Sequence, residues 1–232
     1  MGSLLLGGCH VGTLSPAAAG GNTVASQTAP LKFRYAPPEA VYHYVLTEET
    51  NPGGSNSHTT VLQFAVKVSK KSVGFAADTT VEGSLTDGKP TTGITESMIK
   101  EFKLTSELDD RGGVVASHGV GLEPFHAAGA RDLGNVFRLP PTELKAGDTW
   151  SEKRGSGANA YELKFKFVGI EQVGSQRIAK FEERAADKRG GKVEQPTLIS
   201  VDADTGVLTD KAAQTLLPTD PPIPVRSEIR LR

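Results

Sequence analysis

The chain has 232 residues, with 26 Lys and Arg against 27 Asp and Glu and a net charge of −1. That balance excludes the strongly basic face of a nucleic-acid binder, and no run approaches the ~20 apolar residues of a membrane-spanning helix. Hydrophobic residues at 37% suffice for a core, while 26 Gly and 14 Pro, with many Thr and Val, point to strands and turns.

The chain opens on Leu4-Leu5-Leu6-Gly7-Gly8-Cys9, and Cys9 is its one cysteine. This segment resembles the lipobox of bacterial lipoproteins, in which the signal is cut before the cysteine and the thiol is acylated. A secretory signal also needs a basic n-region and roughly 7–15 apolar residues. Here no Lys or Arg precedes Lys32. Either the start codon is placed too late, or Met1-Gly2-Ser3 replaces the natural start of a clipped signal. N-myristoylation fails its own pattern, because Leu6 stands where Ser or Thr is required. Residues 10–30 carry no Asp, Glu, Lys or Arg and are rich in Ala, Gly, Ser and Thr. Such a stretch buries too little apolar surface to offset its ordering entropy. Residues 1–9 are therefore read as a truncated lipoprotein signal, 10–36 as a flexible tether and 37–232 as a β domain.

Strand patterns follow. Tyr42, Tyr44 and Leu46 share one face of a strand over Val41 to Thr47, and Asn51 to Asn56 form a loop. Leu62, Phe64, Val66 and Val68 alternate with Gln63 and Lys67. Met98, Phe102, Leu104 and Leu108 are read as the next strand face, turned at Asp109-Asp110-Arg111-Gly112-Gly113 into a strand from Val114. Residues 120–135 lack a period of two, and a short helix is expected there. Tyr161, Leu163, Phe165 and Phe167 then face one way against Glu162, Lys164 and Lys166. Arg177 to Arg184 runs back, and Asp202-Ala203-Asp204-Thr205-Gly206 joins Leu198–Asp202 to Val207–Leu216. Val225, Ser227, Ile229 and Leu231 close the pattern. One wet and one buried face per strand is the mark of antiparallel sheets. The expected fold is all-β, with antiparallel hairpins forming a curved sheet, half-barrel or sandwich. The order of hairpins is alike over 40–119 and 145–232, which suggests duplicated halves; unrelated hairpins would give the same likeness.

Leu139-Pro140-Pro141, followed by Gly147-Asp148-Thr149-Trp150 and a Tyr-led alternating strand, resembles a segment of uncharacterised bacterial secreted and lipid-anchored β proteins. That resemblance brings no agreed activity. The repeated hairpins resemble, more weakly, the half-barrel of periplasmic lipoprotein carriers, which hold acyl chains in an apolar concavity.

No catalytic, metal or cofactor set emerges. Asp202 to Gly206 begins like a calcium loop, but Gly206 and Val207 stand where a ligand and a glycine are needed, so a turn explains it better. Asp109 and Asp110 point to opposite faces of a strand. His10, His43, His58, His118 and His126 show no ligand spacing, and Ser156 lacks the nucleophile elbow. Trp150 either plugs one end of a β core or lines a ligand mouth.

The sequence thus predicts a non-enzymatic, extracytoplasmic lipoprotein, held to a membrane through acylated Cys9. An outer-membrane destination is favoured in a two-membrane organism, since His10 follows the cysteine where inner-membrane lipoproteins tend to carry Asp. A lipid-like ligand or an envelope protein is expected on an apolar concavity lined by Tyr42, Tyr44, Phe64, Phe102, Trp150, Phe165 and Phe167. The alternatives are a structural or assembly role without a pocket and a hydrolase of unknown type.

Overall fold

The computed structural model describes residues 24–25, 29–120, 137–154, 161–185, 196–217 and 223–232. It is built almost wholly of antiparallel strands in one 13-stranded sheet. The strands are β1 (Val24–Ala25), β2 (Ala40–Thr50), β3 (His58–Lys70), β4 (Phe75–Thr86), β5 (Lys89–Pro90), β6 (Lys103–Leu108), β7 (Val114–Val120), β8 (Thr149–Arg154), β9 (Tyr161–Val173), β10 (Gln176–Ala185), β11 (Thr197–Asp202), β12 (Leu208–Leu217) and β13 (Ile223–Leu231).

Two successive meanders make the sheet. β2-β3-β4-β6-β7 is the first and β9-β10-β11-β12-β13 the second, with β5 a short ribbon on β4. They join where the last strand pairs with the first: Ile229 lies opposite Leu46, and Leu231 opposite Tyr44. β8 and β1 share the outer side of β9, β8 along Tyr161–Lys166 and β1 along Ile170–Glu171. Among the described residues, β7 and β8 are therefore edges at opposite ends of the sheet.

The period of two works as the sequence implies. In β6 the pattern exposed–buried repeats over all six residues, with Leu104, Ser106 and Leu108 inside. Buried residues from both meanders form a single apolar cluster on one face, here called the inner face. β4 was not foreseen. Its inner residues are small or polar, with Ala77 and Thr79 before Val81, and a bulge opposite Gln63/Phe64 interrupts the alternation.

One helix is described, and it is not where a helix was expected. α1 spans Glu96–Glu101, within the stretch read as strand, whereas 121–135 lies outside the described residues. Thr95 caps α1 by accepting from the Met98 amide at 3.3 Å, and Glu96 sits favourably in the first turn. Ile94 and Ile99 pack on the core while Met98 is exposed, so only Phe102, Leu104 and Leu108 of the predicted face point inward. No described helix is long and apolar enough to cross a membrane.

Both acid–glycine segments are hairpin turns. Asp109 Oδ1 accepts from the amides of Arg111 at 3.0 Å and Gly113 at 2.8 Å, with Gly112 at φ +78°. Asp202 Oδ1 accepts from Asp204 N, Thr205 N and Thr205 Oγ1 at 3.0, 2.8 and 2.9 Å, with Gly206 at φ +74°. One carboxylate oxygen of each aspartate is committed to holding its turn.

Candidate functional site: the inner face and its cover

The inner face is apolar across both meanders. Register sets Leu46 beside Leu62 and Ile229, and Tyr44 beside Phe64, whose rings stack at 5.4 Å. On the second meander Phe181 lies between Phe167 of β9 and Ile199 of β11, with Phe165 two residues before Phe167 on the same face. The Tyr44 hydroxyl donates to the Leu208 carbonyl at 3.1 Å, so its one polar group is satisfied inside the core.

Two stretches of the chain, neither part of the strand path, lie over this face. In the first, Phe33 sets its ring edge-on to Phe167 at 5.2 Å and to Phe181 at 5.4 Å, and Tyr35 meets Phe75 at 5.1 Å. Both are buried. This strap is tied by Leu31 and Leu144, which exchange amide-to-carbonyl bonds of 2.8 and 2.9 Å, and by Ala36 N donating to Thr205 O at 2.9 Å. Residues 31–36 thus pack on the domain, although the expected tether ran to residue 36. Lys32-Phe33-Arg34-Tyr35 alternates, and that was the signal available.

In the second stretch, Phe137 sits 4.8 Å from Phe181 and 5.9 Å from Phe165, and Leu139 is fully enclosed. Leu139 N donates to Arg111 O at 2.9 Å and Arg111 Nε donates to Leu139 O at 2.7 Å. Arg138 pairs with Asp109 at 2.5 Å.

The two hairpin turns grip the strap from either half. A Cβ on Gly112 would lie 2.8 Å from the Tyr35 ring. One on Gly206 would lie 2.8 Å from Leu139 Cδ1, 2.9 Å from Arg34 O and 3.1 Å from Tyr35 Cα. At both positions glycine serves twice, for positive φ and for close approach. Leu144 leads into the Gly-Asp-Thr-Trp segment, whose tight turn is set by Gly147 at φ +95°. Asp148 Oδ2 accepts from Lys145 N at 2.8 Å, and Gly147 N donates to Phe167 O at 2.7 Å.

Trp150 emerges from that turn half-buried. It stacks on Phe165 at 4.9 Å and 16° and meets Phe181 edge-on at 5.8 Å. Its indole Nε1 is buried without a hydrogen-bond partner among the described residues. Of the other expected lining residues, Tyr44, Phe64, Phe102, Phe165 and Phe167 are buried. Tyr42 is half-buried at the margin, its hydroxyl donating to Pro38 O at 3.1 Å. Phe102 lies at the α1–β6 junction, and Phe165, Phe167 and Trp150 form one aromatic group with Phe137 and Phe181. Cys9 lies outside the described residues.

Sequence reasoning missed the cover: Phe33, Tyr35, Phe137 and Leu139. Burial pushes the Tyr35 and Tyr44 phenols well above their ordinary value, reinforced by neighbouring tyrosines, so both stay neutral. Among the described residues no three His, Cys, Asp or Glu side chains group to hold a metal. What the face offers chemically is apolar contact over a length of sheet.

No family model matches the chain, and no curated protein matches it. Among solved structures it is similar to one assigned as an exported protein with a YmcC-like fold from Bacteroides fragilis, at 12% identity and a TM-score of 0.33, covering 86% of this chain and 99% of that one. It is also similar to one assigned as an outer membrane lipoprotein-sorting protein domain from Vibrio parahaemolyticus, at 8% identity and a TM-score of 0.26, covering 85% and 87%. At such scores neither likeness carries an argument about this chain.

Proposed function

We propose that the protein is a cell-envelope lipoprotein, anchored through acylated Cys9, whose inner sheet face binds an extended apolar ligand without catalysis. An acyl chain is the preferred ligand. The observation that carries this reading is the strap. Phe33 and Tyr35 occupy the apolar face as a ligand would, held by side-chain burial and a few backbone bonds outside the sheet's ladder.

The energetics permit exchange. Burying an aromatic side chain of this size contributes roughly 1.5–3 kcal/mol, and each buried CH2 contributes ~0.8 kcal/mol. An acyl chain with about four to seven buried methylenes matches the strap's two rings. A second ligand class has its own support, because the strap is itself a peptide: an apolar segment of an envelope protein fits the same face. The matching strand order of the two meanders supports a further part of the reading, a duplication relating 40–119 to 145–232.

Displacement of a fluorescent fatty acid from the full chain carrying Cys9→Ser tests it. The expected outcome is micromolar binding that tightens in Phe33→Ala, where the competing ring is gone. Absence of binding in both proteins, with the fold intact, removes the acyl-chain reading and leaves the protein segment or a purely structural role.

A further inference from the structure

On the opposite, outer face of the sheet, β8, β9 and β10 form a groove of about 560 Å³ at the edge. Register assembles it in two cross-strand rows. Ser151 lies opposite Lys164, and Lys164 opposite Arg184; Thr149 lies opposite Lys166, and Lys166 opposite Glu182. Trp150 and Phe165 line the groove between these rows, their rings packed on the core, and hydroxyls and charged groups make up the rest of its wall.

The charges do not balance. Three cations share the groove with one carboxylate, and Glu182 is engaged by Arg184 at 3.7 Å on its own strand. Lys164 and Lys166 form no ion pair among the described residues, and both are exposed. Lys164 and Arg184 sit directly opposite one another, a like-charge pairing that destabilises a sheet unless an anion bridges it. A protein with a net charge of −1 has concentrated unpaired positive charge in one concave place beside two hydroxyl donors.

We propose that this groove binds a phosphate-type oxyanion, with the Lys164 and Lys166 ammoniums and the Arg184 guanidinium supplying charge and the Thr149 and Ser151 hydroxyls donating hydrogen bonds. Phosphate geometry suits the set: a guanidinium fork binds two oxygens, and ammoniums act as point charges beside it. The oxyanion comes either from a phospholipid headgroup or from a free phosphate. The site is on the face away from the apolar one, so it stands or falls independently of the acyl-chain reading.

The test uses the full chain with Cys9→Ser, so that no acyl anchor contributes. Two probes are used: inorganic phosphate by calorimetry, and co-sedimentation with phosphatidylcholine vesicles with and without phosphatidylglycerol. Lys164→Gln/Lys166→Gln is compared with Lys164→Arg/Lys166→Arg; both positions are exposed, and all four substitutions leave melting unaltered. Preference for the phosphatidylglycerol vesicles, falling roughly fivefold per cation removed and retained by the arginine variant, identifies the headgroup. Phosphate binding with the same variant pattern and no vesicle preference identifies a free oxyanion. Equal binding to both vesicle types without phosphate binding, or indifference to the glutamine variant, overturns the proposal; the former points instead to apolar insertion through the inner face.

Discussion

Arg111, at the tip of the β6–β7 turn, donates to Glu152 of the edge strand β8 at 2.5 Å. The two residues belong to opposite ends of a sheet that closes no hydrogen-bonded ring among the described residues. Their meeting means that the sheet is curled until its ends touch. Arg111 also donates to Leu139 O at 2.7 Å, so one guanidinium ties the first meander, the cover and the second meander together. Glu152 is nearly enclosed and Arg111 mostly so, at 10% and 23% side-chain exposure, which puts the pair beyond the weak surface class. Glu152→Gln should cost about 1–3 kcal/mol in urea unfolding, the range for removing one partner of a charged hydrogen bond. Glu162→Gln, on the other face of the same hairpin, is the control and should change little.

The strap and the sheet should respond differently to the same truncation. Phe167→Ala removes a fully buried ring from β9 and should cost ~3–5 kcal/mol. Phe33→Ala should cost less, about 1–3 kcal/mol, because the strap can lift and leave no sealed cavity. Hydrogen exchange of the Leu31 and Ala36 amides should quicken in Phe33→Ala while exchange in β3 stays slow. Equal global destabilisation by both variants would make the strap an ordinary part of the core.

Two left-handed glycines separate conformational strain from crowding. Gly174, at φ +60°, has open space where a Cβ would go. Gly206, at φ +74°, would drive a Cβ into Leu139 and the Arg34 carbonyl. Gly174→Ala should cost about 1 kcal/mol, from the backbone alone. Gly206→Ala should cost clearly more and should loosen the strap, read as faster exchange at Ala36.

Asp210 sets a pH dependence of known sign. Burial raises its pKa, and Glu228 adds to the rise, against the opposing effects of Arg230 and Lys180. The folded protein therefore holds this proton more tightly than the unfolded chain does. Its penalty is absent below the unfolded carboxylate pKa and grows as pH rises through the folded one. Asp210→Asn should stabilise the protein at neutral pH, by less than about 1 kcal/mol for a group this accessible. The advantage should vanish as pH falls below the ordinary carboxylate range. Arg230 keeps its pairing with Glu228 in that variant. A gain that grows on acidification would contradict the assignment.

The strands were legible because each buries one face. Tyr42-Tyr44-Leu46, Leu62-Phe64 and Phe165-Phe167 alternate in the sequence as they do in the sheet. β4 was not legible, since Ala77 and Thr79 carry little hydrophobic signal and the bulge breaks the period. Met98 matched the strand pattern by coincidence of spacing, while Thr95 held the competing signal, a helix cap. The expected lining aromatics were legible as an apolar face. What covers them was not, because Phe33 and Phe137 reach β9 and β10 across long sequence separations that no local pattern encodes. The Arg111–Glu152 tie is of the same kind, its partners 41 positions apart.

Mass spectrometry of one preparation tests the anchor and the binding face together. The protein, expressed with a complete upstream signal, is purified from native membranes and measured first intact under non-denaturing conditions and then as peptides. The expected result is a Cys9 peptide carrying a diacylglyceryl group, with two or more chains because one gives only marginal anchoring, and an additional acyl-bearing small molecule released from the folded domain. An unmodified Cys9 in a protein recovered from the soluble fraction, with nothing co-purified, would contradict it.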